Sequence, residues 1–297
     1  MSVSRVLVTG ASGQLASAIL RAFEGRVVAA HTRAALDITD PDAVKRAVDA
    51  ARPDAIINCA AYNRVDDAES HVLEAFAINA FAVRTLARAA ESAGAILVHY
   101  GTDFVFAGLG GPDAAPYDES SPVAPASVYA ASKLVGEWLA LECPRGYTLR
   151  VESLFGQPAD WTGRRGSLDT IVAGLEAGRE VTVFSDRVVS PGYVVDIAAA
   201  TRFIVDGSVA PGLYHCVNSG HATWEEVAIE AARMLGVTPR LKRITTAEVT
   251  LVAKRPTFCA LSTAKLAAAG FAMPAWQDAL GRWLASRGGP ARKAEFT

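Results

Sequence analysis

A glycine-rich turn between a strand and a helix near the N-terminus constrains the fold of this chain more than any other feature. Residues 5–10 read RVLVTG, an apolar run that predicts a buried strand, and residues 14–23 have the 3.6-residue period of a helix. The turn between them, residues 10–13, carries only small side chains, so its backbone can approach a phosphate group at the helix N-terminus. In that position the turn predicts a dinucleotide-binding α/β fold rather than an ordinary turn.

The alternation of apolar runs with helical stretches continues through the first half of the chain. Further strands are predicted at 26–30, 54–60 and 95–100, and helices at 41–51 and 72–93. Strands that read as continuous apolar runs are typical of a parallel sheet that helices cover on both faces. The predicted fold class is therefore α/β, a doubly wound, Rossmann-like parallel sheet.

The pattern of the chain changes after about residue 155. We predict that residues 1–155 form an NAD(P)-binding domain, with returns to its sheet near 181–218. Residues 156–297 then form mainly a smaller C-terminal α/β substrate-binding domain. The elements predicted there are helices at 168–177, 196–205, 223–235 and 276–285 and strands at 180–184 and 212–217.

Composition and charge exclude several classes of partner. The 29 Lys and Arg residues balance 31 Asp and Glu residues, for a net charge of −2, so no global field attracts nucleic acid or an anionic membrane. No apolar run reaches the ~18 residues of a membrane helix and no leader precedes the first strand, so we expect a soluble, cytoplasmic protein. The four cysteines lack paired spacing, which indicates reduced thiols and no metal site. A homodimer is compatible with these features.

The residues that follow the second predicted strand bear on the choice of cofactor. An acidic residue there would hold the ribose 2′-hydroxyl of NAD, but residues 30–33 read AHTR. Arg33 can pair with the 2′-phosphate of NADP, so NADPH is favoured and NADH stays open; alternatively, Arg33 is a solvated loop residue. Asp37 and Ile38 are predicted to flank the adenine, although Asp37 also fits a turn before the next helix.

Two residues four positions apart on a predicted helix indicate acid–base chemistry. Tyr129 and Lys133 share one helix face, where the ammonium is expected to lower the pKa of the phenol toward neutrality. Thr102 follows the strand at 95–100, at the sheet edge where α/β folds bind ligands, and can hydrogen-bond a reacting carbonyl oxygen. Asn79, polar within an Ala-rich helix, is a candidate for organising a proton relay behind Lys133. A strand-end cap and a satisfied helix amide are the structural alternatives for Thr102 and Asn79.

Taken together, these residues make the chain resemble the dTDP-4-dehydrorhamnose reductases, a family of extended short-chain dehydrogenase/reductases. The resemblance extends over almost the whole length and rests on several motifs taken jointly. They are GASGQL at 10–15, NCAAYNRVDDAE at 58–69, TDFVF at 102–106, PYDE at 116–119, YAASKLVGE at 129–137, SP at 190–191, GLYH at 212–215, TWEE at 223–226, RP at 255–256 and LS at 261–262.

The resemblance implies a reaction and a set of roles. Members of the family use NAD(P)H to reduce the 4-keto group of a nucleotide-linked deoxysugar, and Thr102, Tyr129 and Lys133 match their catalytic triad. The expected cofactor contacts, besides Arg33, Asp37, Ile38, Tyr129 and Lys133, are Gly10, Ser12, Gly13, Gln14, Leu15, Ala60, Ala61 and Tyr62. The expected substrate contacts are Asp103, Phe104 and Phe106 at the pocket mouth, Ser153 near the sugar, and Ser190 and Arg255 on the glycosyl nucleotide, with Arg255 placed for a phosphate.

Two departures from the family pattern bear on the substrate. Where the family has a run resembling LRTSW, residues 149–153 read LRVES, so Ser153 stands in place of a tryptophan near the sugar. The loop at 107–111 lacks the usual Asp-Gly. The identity of the sugar and of its nucleotide carrier is therefore left open.

Our hypothesis is a reduction in which a ketone docks against Tyr129 and Thr102, receives a hydride from NADPH and takes a proton from Tyr129. Two rival functions remain. A non-catalytic regulatory subunit similar to the β subunit of methionine adenosyltransferase would bind the dinucleotide without turnover. A dehydratase or epimerase of the same superfamily is the other rival, but similar dehydratases carry Asp-Glu after the threonine, whereas here Asp103 is followed by Phe104.

Overall fold

The structure is a computed structural model, and it describes residues 3–111, 114–156, 166–207 and 209–287. The predicted helices and strands follow in the predicted order, and a strand at Gly146–Val151 and several shorter elements are added. The elements are β1 (Arg5–Thr9), α1 (Gln14–Ala22), β2 (Val27–His31), α2 (Pro41–Ala51), β3 (Ala55–Asn58), α3 (Val72–Phe76), α4 (Ala82–Ala93), β4 (Ile96–Thr102), α5 (Val128–Ala140), β5 (Gly146–Val151), β6 (Leu154–Phe155), α6 (Ser167–Glu176), β7 (Glu180–Phe184), β8 (Val188–Val189), β9 (Gly192–Tyr193), α7 (Val194–Asp206), β10 (Gly212–His215), β11 (Ala222–Thr223), α8 (Trp224–Leu235), β12 (Arg240–Ile244), α9 (Ala264–Ala268) and α10 (Trp276–Ser286).

Six strands, β1 to β5 and β10, form one sheet in which every pair of neighbours is parallel. The spatial order is β2-β1-β3-β4-β5-β10, so the direction of winding reverses at β1. In sheets of this kind ligands bind outside the carboxyl ends of the strands, near the point of reversal. The predicted doubly wound α/β fold is confirmed.

Helices cover both faces of this sheet. Val8 belongs to an apolar cluster with residues of α1 and α7, whereas Leu7 belongs to a cluster with residues of α2, α4 and α5. Successive strand residues point to opposite faces of a pleated sheet, so a continuous apolar run has both sets of side chains buried. This burial is the physical reason why the strands could be recognised as uninterrupted apolar runs.

The second half of the chain divides between this sheet and a smaller unit. α7 and β10 return to the large sheet, whereas α6, α8 and α10 enclose a separate apolar cluster that includes Trp224 and Trp283. β7, at the start of the segment predicted to return, pairs instead with β12. The sequence patterns did not indicate β12 because its residues, RLKRI, are mostly polar and exposed. The domain boundary near residue 155 stays a prediction.

The predicted helix at 72–93 is interrupted by a π-turn at residues 77–81, between α3 and α4. Such a turn adds a residue to the helical repeat and occurs frequently at functional sites. Here the Asn79 carbonyl comes so close to α5 that a Cβ built on Gly136 would lie 2.0 Å from its oxygen. Glycine at position 136 therefore allows α5 to pack against the π-turn.

Gly136→Ala should destabilise the protein, although alanine is the better helix former. The added Cβ would collide with backbone that cannot move independently of the π-turn, and overpacking costs about 1–3 kcal/mol. Gly281→Ala in α10 is the matched control, since a Cβ there meets the Met234 sulfur at an ordinary 3.8 Å. Denaturant unfolding measures both variants. A Gly136→Ala protein as stable as the wild type would contradict this packing.

The cysteines and the helix lengths bear on two further predictions. Cys59, Cys143, Cys216 and Cys259 form no disulfide in the structure, and their reduced state stays a prediction. In the part of the chain that the structure describes, no helix is both long and apolar enough to cross a bilayer.

Candidate active site

A cleft of about 340 Å³ lies at the carboxyl edge of the sheet, between the turn after β1 and the segments after β2 and β3. The turn comes close to β3 because Gly10 has a φ of 65° and no side chain; a Cβ there would lie 2.6 Å from the Ala60 nitrogen. Gly13 precedes α1 without a capping side chain, and the first turn of α1 has no acidic residue. The helix N-terminus therefore offers its backbone N–H groups to a bound anion.

Most of the predicted cofactor residues lie together in this cleft. Five do not: Leu15 is buried in the core of the sheet, Tyr62 is buried against α3, and Gln14 lines a neighbouring cavity of about 420 Å³. Tyr129 lines a separate pocket, and Lys133 is buried on the same helix. Their contacts with a cofactor stay predictions. The cleft is lined by the predicted residues Gly10, Ser12, Gly13, Arg33, Asp37, Ile38, Ala60 and Ala61, and by Leu36, Thr39, Cys59, Asn63, Glu74, Ala77 and Ile78, which the sequence patterns did not single out as contacts.

Arg33 is an exposed cation at this cleft, and its guanidinium faces a carboxylate. Its side chain is 82% exposed, and Nη2 lies 3.6 Å from Glu74 Oε1. Arg64 approaches the other Glu74 oxygen at 3.8 Å. The Asp37 carboxylate accepts hydrogen bonds from the Thr39 hydroxyl and backbone N–H, which hold its pKa below the usual range. A phosphate at Arg33 would therefore compete with Glu74.

Thr102 and Tyr129 line one pocket at the carboxyl end of β4. Ser127 caps α5 through a backbone hydrogen bond, and this starts the helix that carries Tyr129 and Lys133 on one face. The Lys133 ammonium is buried and donates to the Tyr100 carbonyl at 2.5 Å. The structure thus brings Thr102 and Tyr129 to the same pocket and bonds the ammonium to the β4 backbone, and the catalytic roles of the three stay predictions.

Burial, not the neighbouring lysine, dominates the acidity of Tyr129. Burial and the Asp103 and Glu137 carboxyls raise the pKa of Tyr129 to about 12, against the lowering effect of the neighbouring Thr102 hydroxyl. Burial also lowers the pKa of Lys133 to about 8, although Glu137 opposes this shift. The chain by itself therefore does not show the predicted lowering toward neutrality, which counts the positive charge of a bound cofactor as well as Lys133 and stays a prediction. Tyr129 is a neutral phenol with a proton to donate.

Asn79 is buried on the π-turn and directs its side chain to neighbours other than Lys133. Its Oδ1 accepts a hydrogen bond from the Tyr62 backbone N–H at 2.8 Å. Its Nδ2 donates to the Tyr62 carbonyl at 2.9 Å and to Ser132 Oγ at 3.0 Å. These bonds connect the segment after β3 with α5, and the role of Asn79 in a proton relay stays a prediction.

A second pocket, also of about 340 Å³, opens beside Thr102 and Tyr129. Four of the predicted substrate residues line it, and two do not. Phe106 is fully buried, with its ring stacked on Tyr117 at 4.2 Å. Ser190 is also fully buried, and its hydroxyl accepts a hydrogen bond from a backbone N–H. The four that line the pocket are Asp103, Phe104, Ser153 and Arg255.

Arg255, predicted to contact a phosphate, is already paired with a carboxylate. Its two terminal nitrogens donate to the two oxygens of Asp66 at 3.0 and 2.7 Å. Bidentate pairs of this kind are among the stronger charge-assisted hydrogen bonds. A phosphate would therefore have to compete with Asp66 for this guanidinium.

Comparison with known proteins identifies the family. The family model described as RmlD substrate binding domain matches residues 4–287. The dTDP-4-dehydrorhamnose reductase of Mycobacterium tuberculosis strain H37Rv is 37% identical over 290 residues, which cover 95% of this chain and 93% of the relative. This chain belongs to the dTDP-4-dehydrorhamnose reductase family.

Two further known proteins are similar to this chain over nearly their whole length. A solved structure of the dTDP-4-dehydrorhamnose reductase from Bacillus anthracis, in complex with NADP, matches with a TM-score of 0.87 and 31% identity. The match covers 96% of this chain and 99% of that chain. A probable dTDP-4,6-dihydroxy-2-methyloxan-3-one 4-ketoreductase of Streptomyces antibioticus is 35% identical, covering 93% of each chain. Relatives of this chain are therefore named for more than one dTDP-linked substrate.

In this member of the family, a buried ion pair holds the catalytic helix on the sheet. Arg150 of β5 donates three hydrogen bonds of 2.9 to 3.2 Å to the Glu137 carboxylate of α5. The same carboxylate accepts the Thr102 backbone N–H at 3.4 Å. A Cβ on Gly101 would lie 2.2 Å from Glu137 Oε1, so glycine there makes room for the pair. Sequence reasoning gave Glu137 no role, although its spacing of four from Lys133 places both on one helix face.

Two charged pocket residues were also missed. Glu152 directly follows β5, and Arg187 lies between β7 and β8; both line the pocket beside Tyr129. Ser153 has a left-handed φ of 44°, which turns the chain sharply after Glu152. The rule that ligands bind at the carboxyl ends of parallel strands could have indicated Glu152. No signal marked Arg187, because its position depends on the fold of the second half.

Lys133→Met should stabilise the folded protein at pH 7. A pKa of about 8 in place of 10.5 corresponds to a charging cost of about 3 kcal/mol, and the lost hydrogen bond to Tyr100 offsets about 1 kcal/mol of the gain. Between pH 8 and 10.5 the lysine is protonated in the unfolded chain and neutral in the folded one, so the free energy of unfolding of the wild type rises with pH. We therefore expect Lys133→Met to raise the free energy of unfolding by about 2 kcal/mol at pH 7, measured by denaturant unfolding. This advantage over the wild type should decline toward pH 10.5.

Lys45→Met is the control for this prediction, because Lys45 is exposed on α2 and pairs only with Asp49 at the surface among the described residues. Its stability should stay within about 0.5 kcal/mol of the wild type at both pH values. Equal or lower stability of Lys133→Met at pH 7 would show that the burial of the ammonium carries no such cost.

Proposed function

We propose that this protein is an NADPH-dependent reductase of the 4-keto group of a dTDP-linked deoxysugar. The names of its relatives support the substrate class, and a relative solved with NADP supports the cofactor. The observation that carries the proposal is that Thr102 and Tyr129 line the same pocket at the carboxyl edge of the sheet. A ketone held at this edge meets a neutral phenol that can donate a proton.

The residues of the cofactor cleft fit NADPH. Gly10 leaves open the space that a Cβ would fill, and the N-terminus of α1 suits the pyrophosphate. Leu36 and Ile38 offer apolar surface to the adenine, and Arg33 offers a guanidinium to the 2′-phosphate. When bound, NADPH supplies the hydride that reduces the carbonyl carbon.

The side chains beside the pocket supply the proton and stabilise the charge that its transfer leaves. Tyr129, with a pKa raised to about 12, stays protonated at neutral pH and donates to the carbonyl oxygen as negative charge develops there. Lys133, with a pKa of about 8, is mostly charged at pH 7 and favours the phenolate that remains. Thr102 lines the pocket beside the phenol, where its hydroxyl can hydrogen-bond the same carbonyl oxygen.

The substrate pocket continues into a larger groove with room for a nucleotide. Ser167, Arg187 and Trp224 line both the pocket beside Tyr129 and a groove of about 610 Å³ bounded by α6 and β7. Arg187 lines both cavities, whereas the guanidinium of Arg255 is held by Asp66. We therefore place the sugar beside Tyr129, and assign to Arg187 the phosphate contact expected of Arg255.

The rival functions have less support. A regulatory subunit that only binds a dinucleotide would need neither the Thr102–Tyr129 pair nor an open pocket beside it. A dehydratase would need a second carboxyl exposed to the sugar, and residue 104 is Phe. The cytoplasmic location, the homodimer and the lack of a nucleic-acid or membrane partner stay predictions.

Tyr129→Phe should lower kcat for NADPH-dependent reduction of dTDP-4-dehydrorhamnose by about a thousandfold, because it removes the proton donor. NADPH oxidation followed by absorbance measures the effect, and NADPH affinity should change little. Tyr214→Phe is the matched control, since its hydroxyl bonds the Ala210 carbonyl away from both pockets. Full turnover by Tyr129→Phe would contradict the assignment.

Arg33→Ala should raise the KM for NADPH about tenfold and leave the KM for NADH within about twofold, because only NADPH carries the 2′-phosphate. Glu74→Gln, which removes the competing carboxylate, should lower the KM for NADPH. Arg84→Ala, at an exposed pair with Glu142, is the control. If Arg33→Ala changed the KM for NADPH and the KM for NADH equally, Arg33 would not contact the 2′-phosphate.

A further inference from the structure

Two buried carboxyl groups that the reaction described above does not use lie beside the catalytic threonine. Asp103 begins a 3₁₀ turn after β4, and Glu152 directly follows β5. Both residues are 3% exposed. One oxygen of each carboxyl and the Cys259 sulfur all lie within 4.8 Å of one another.

One oxygen on each carboxyl is shielded from solvent and has no hydrogen-bond partner among the described residues: Asp103 Oδ2 and Glu152 Oε1. Ionised carboxylates only accept hydrogen bonds, so two facing carboxylates cannot satisfy each other. A single proton between them makes one group a donor and removes both deficits. The neighbouring Cys259 thiol is only a weak donor.

The charges around the pair also favour one retained proton. Arg187, from the loop between β7 and β8, is the cation that acts on both carboxyls, and it can balance one negative charge. Tyr129 and Glu137 of α5 bring no positive charge to the pair, and Cys259 stays a thiol because burial raises its pKa. Burial raises the pKa of Asp103 to about 6 and that of Glu152 well above its usual value.

The remaining oxygens of the pair connect it to the proton donor. Asp103 Oδ1 accepts a hydrogen bond from the Thr102 hydroxyl at 3.0 Å, and Thr102 lines the same pocket as Tyr129. Glu152 Oε2 accepts the Ser190 backbone N–H at 2.8 Å, which stabilises a negative charge on that end. The polar groups therefore form one path from Glu152 through Asp103 and Thr102 to Tyr129.

We propose that Asp103 and Glu152 share one proton and return it to Tyr129 through Thr102 after each reduction. The relay part of this proposal rests on the proposed reductase function. The Tyr129 phenolate takes the proton of Thr102 Oγ1, and Thr102 takes the one shared proton from Asp103, to which it passes from Glu152. Both carboxyls are then ionised, and the pair regains one proton from water, which leaves hydroxide to the buffer. Both acids are assigned as positioning residues that act through Thr102, since one oxygen of each is shielded from solvent.

The shared proton can be tested on the ligand-free protein. Infrared spectroscopy of the wild type at pH 7 should show the C=O stretch of a protonated carboxyl that shifts in D₂O. The Glu152→Gln spectrum should lack this band, because Asp103 alone ionises beside Arg187. Cys259→Ala, which removes only the adjacent thiol, should keep the band. A wild-type spectrum without it would overturn the proposal, even if the variant fails to fold.

The relay is tested by kinetics on dTDP-4-dehydrorhamnose with saturating NADPH. Glu152→Gln should lower kcat about tenfold, leave both KM values within about twofold and enlarge the solvent deuterium isotope effect, because resupply of the proton becomes limiting. Imidazole buffer, a small proton donor, should restore kcat in Glu152→Gln and leave the wild type and Cys259→Ala unaffected. Unchanged kcat and isotope effect in Glu152→Gln would overturn the relay.

A metal ion is the competing occupant of this cluster, and the same samples exclude or establish it. One equivalent of a divalent metal in the purified wild type, lost together with activity on chelation and absent from Glu152→Gln, would overturn the shared proton. Failure of the wild type to reduce any keto sugar would instead refute the proposed function. The infrared result would still decide whether the carboxyls share a proton.

Discussion

The ion pair between Glu137 and Arg150 is the interaction on which the candidate active site depends. It joins α5 to β5 beneath the end of β4, and its side chains are almost fully buried. Removing one partner of such a pair leaves an unpaired buried charge and typically costs about 3–5 kcal/mol. Because Tyr129, Lys133 and Glu137 share one face of α5, the pair fixes the height and rotation of the helix that presents the proton donor.

Burial sets the chemistry of the groups that surround this pair. In a site with few water molecules a charge is costly, so the phenol stays neutral, the ammonium loses basicity and the two carboxyls beside Thr102 favour one shared proton. The same burial makes these groups available as proton donors at neutral pH. The stability of the rest of the fold offsets the free-energy cost of burying these groups. It also offsets the backbone strain of Ser153, whose left-handed conformation brings Glu152 to the pocket.

The elements that sequence reasoning predicted well are those whose signal is local. β1 and α1 were recognised because a fully buried strand is a continuous apolar run and its glycine turn has few other uses. The π-turn was missed because it depends on how Asn79 and Gly136 pack, and these residues are 57 positions apart by number. Phe106 and Ser190 were expected in the pocket, but their burial against distant segments carries no local pattern.

The sequence by itself determined the parallel sheet, the phosphate-binding turn and the pairing of Tyr129 with Lys133, since each depends on spacing within one strand, turn or helix. Only the tertiary structure decided which charges face one another. Glu152 meets Asp103, Arg255 meets Asp66 and Glu137 meets Arg150 across segments remote in the chain. Electrostatic effects depend on distance and burial in space, and neither quantity can be read from residue order.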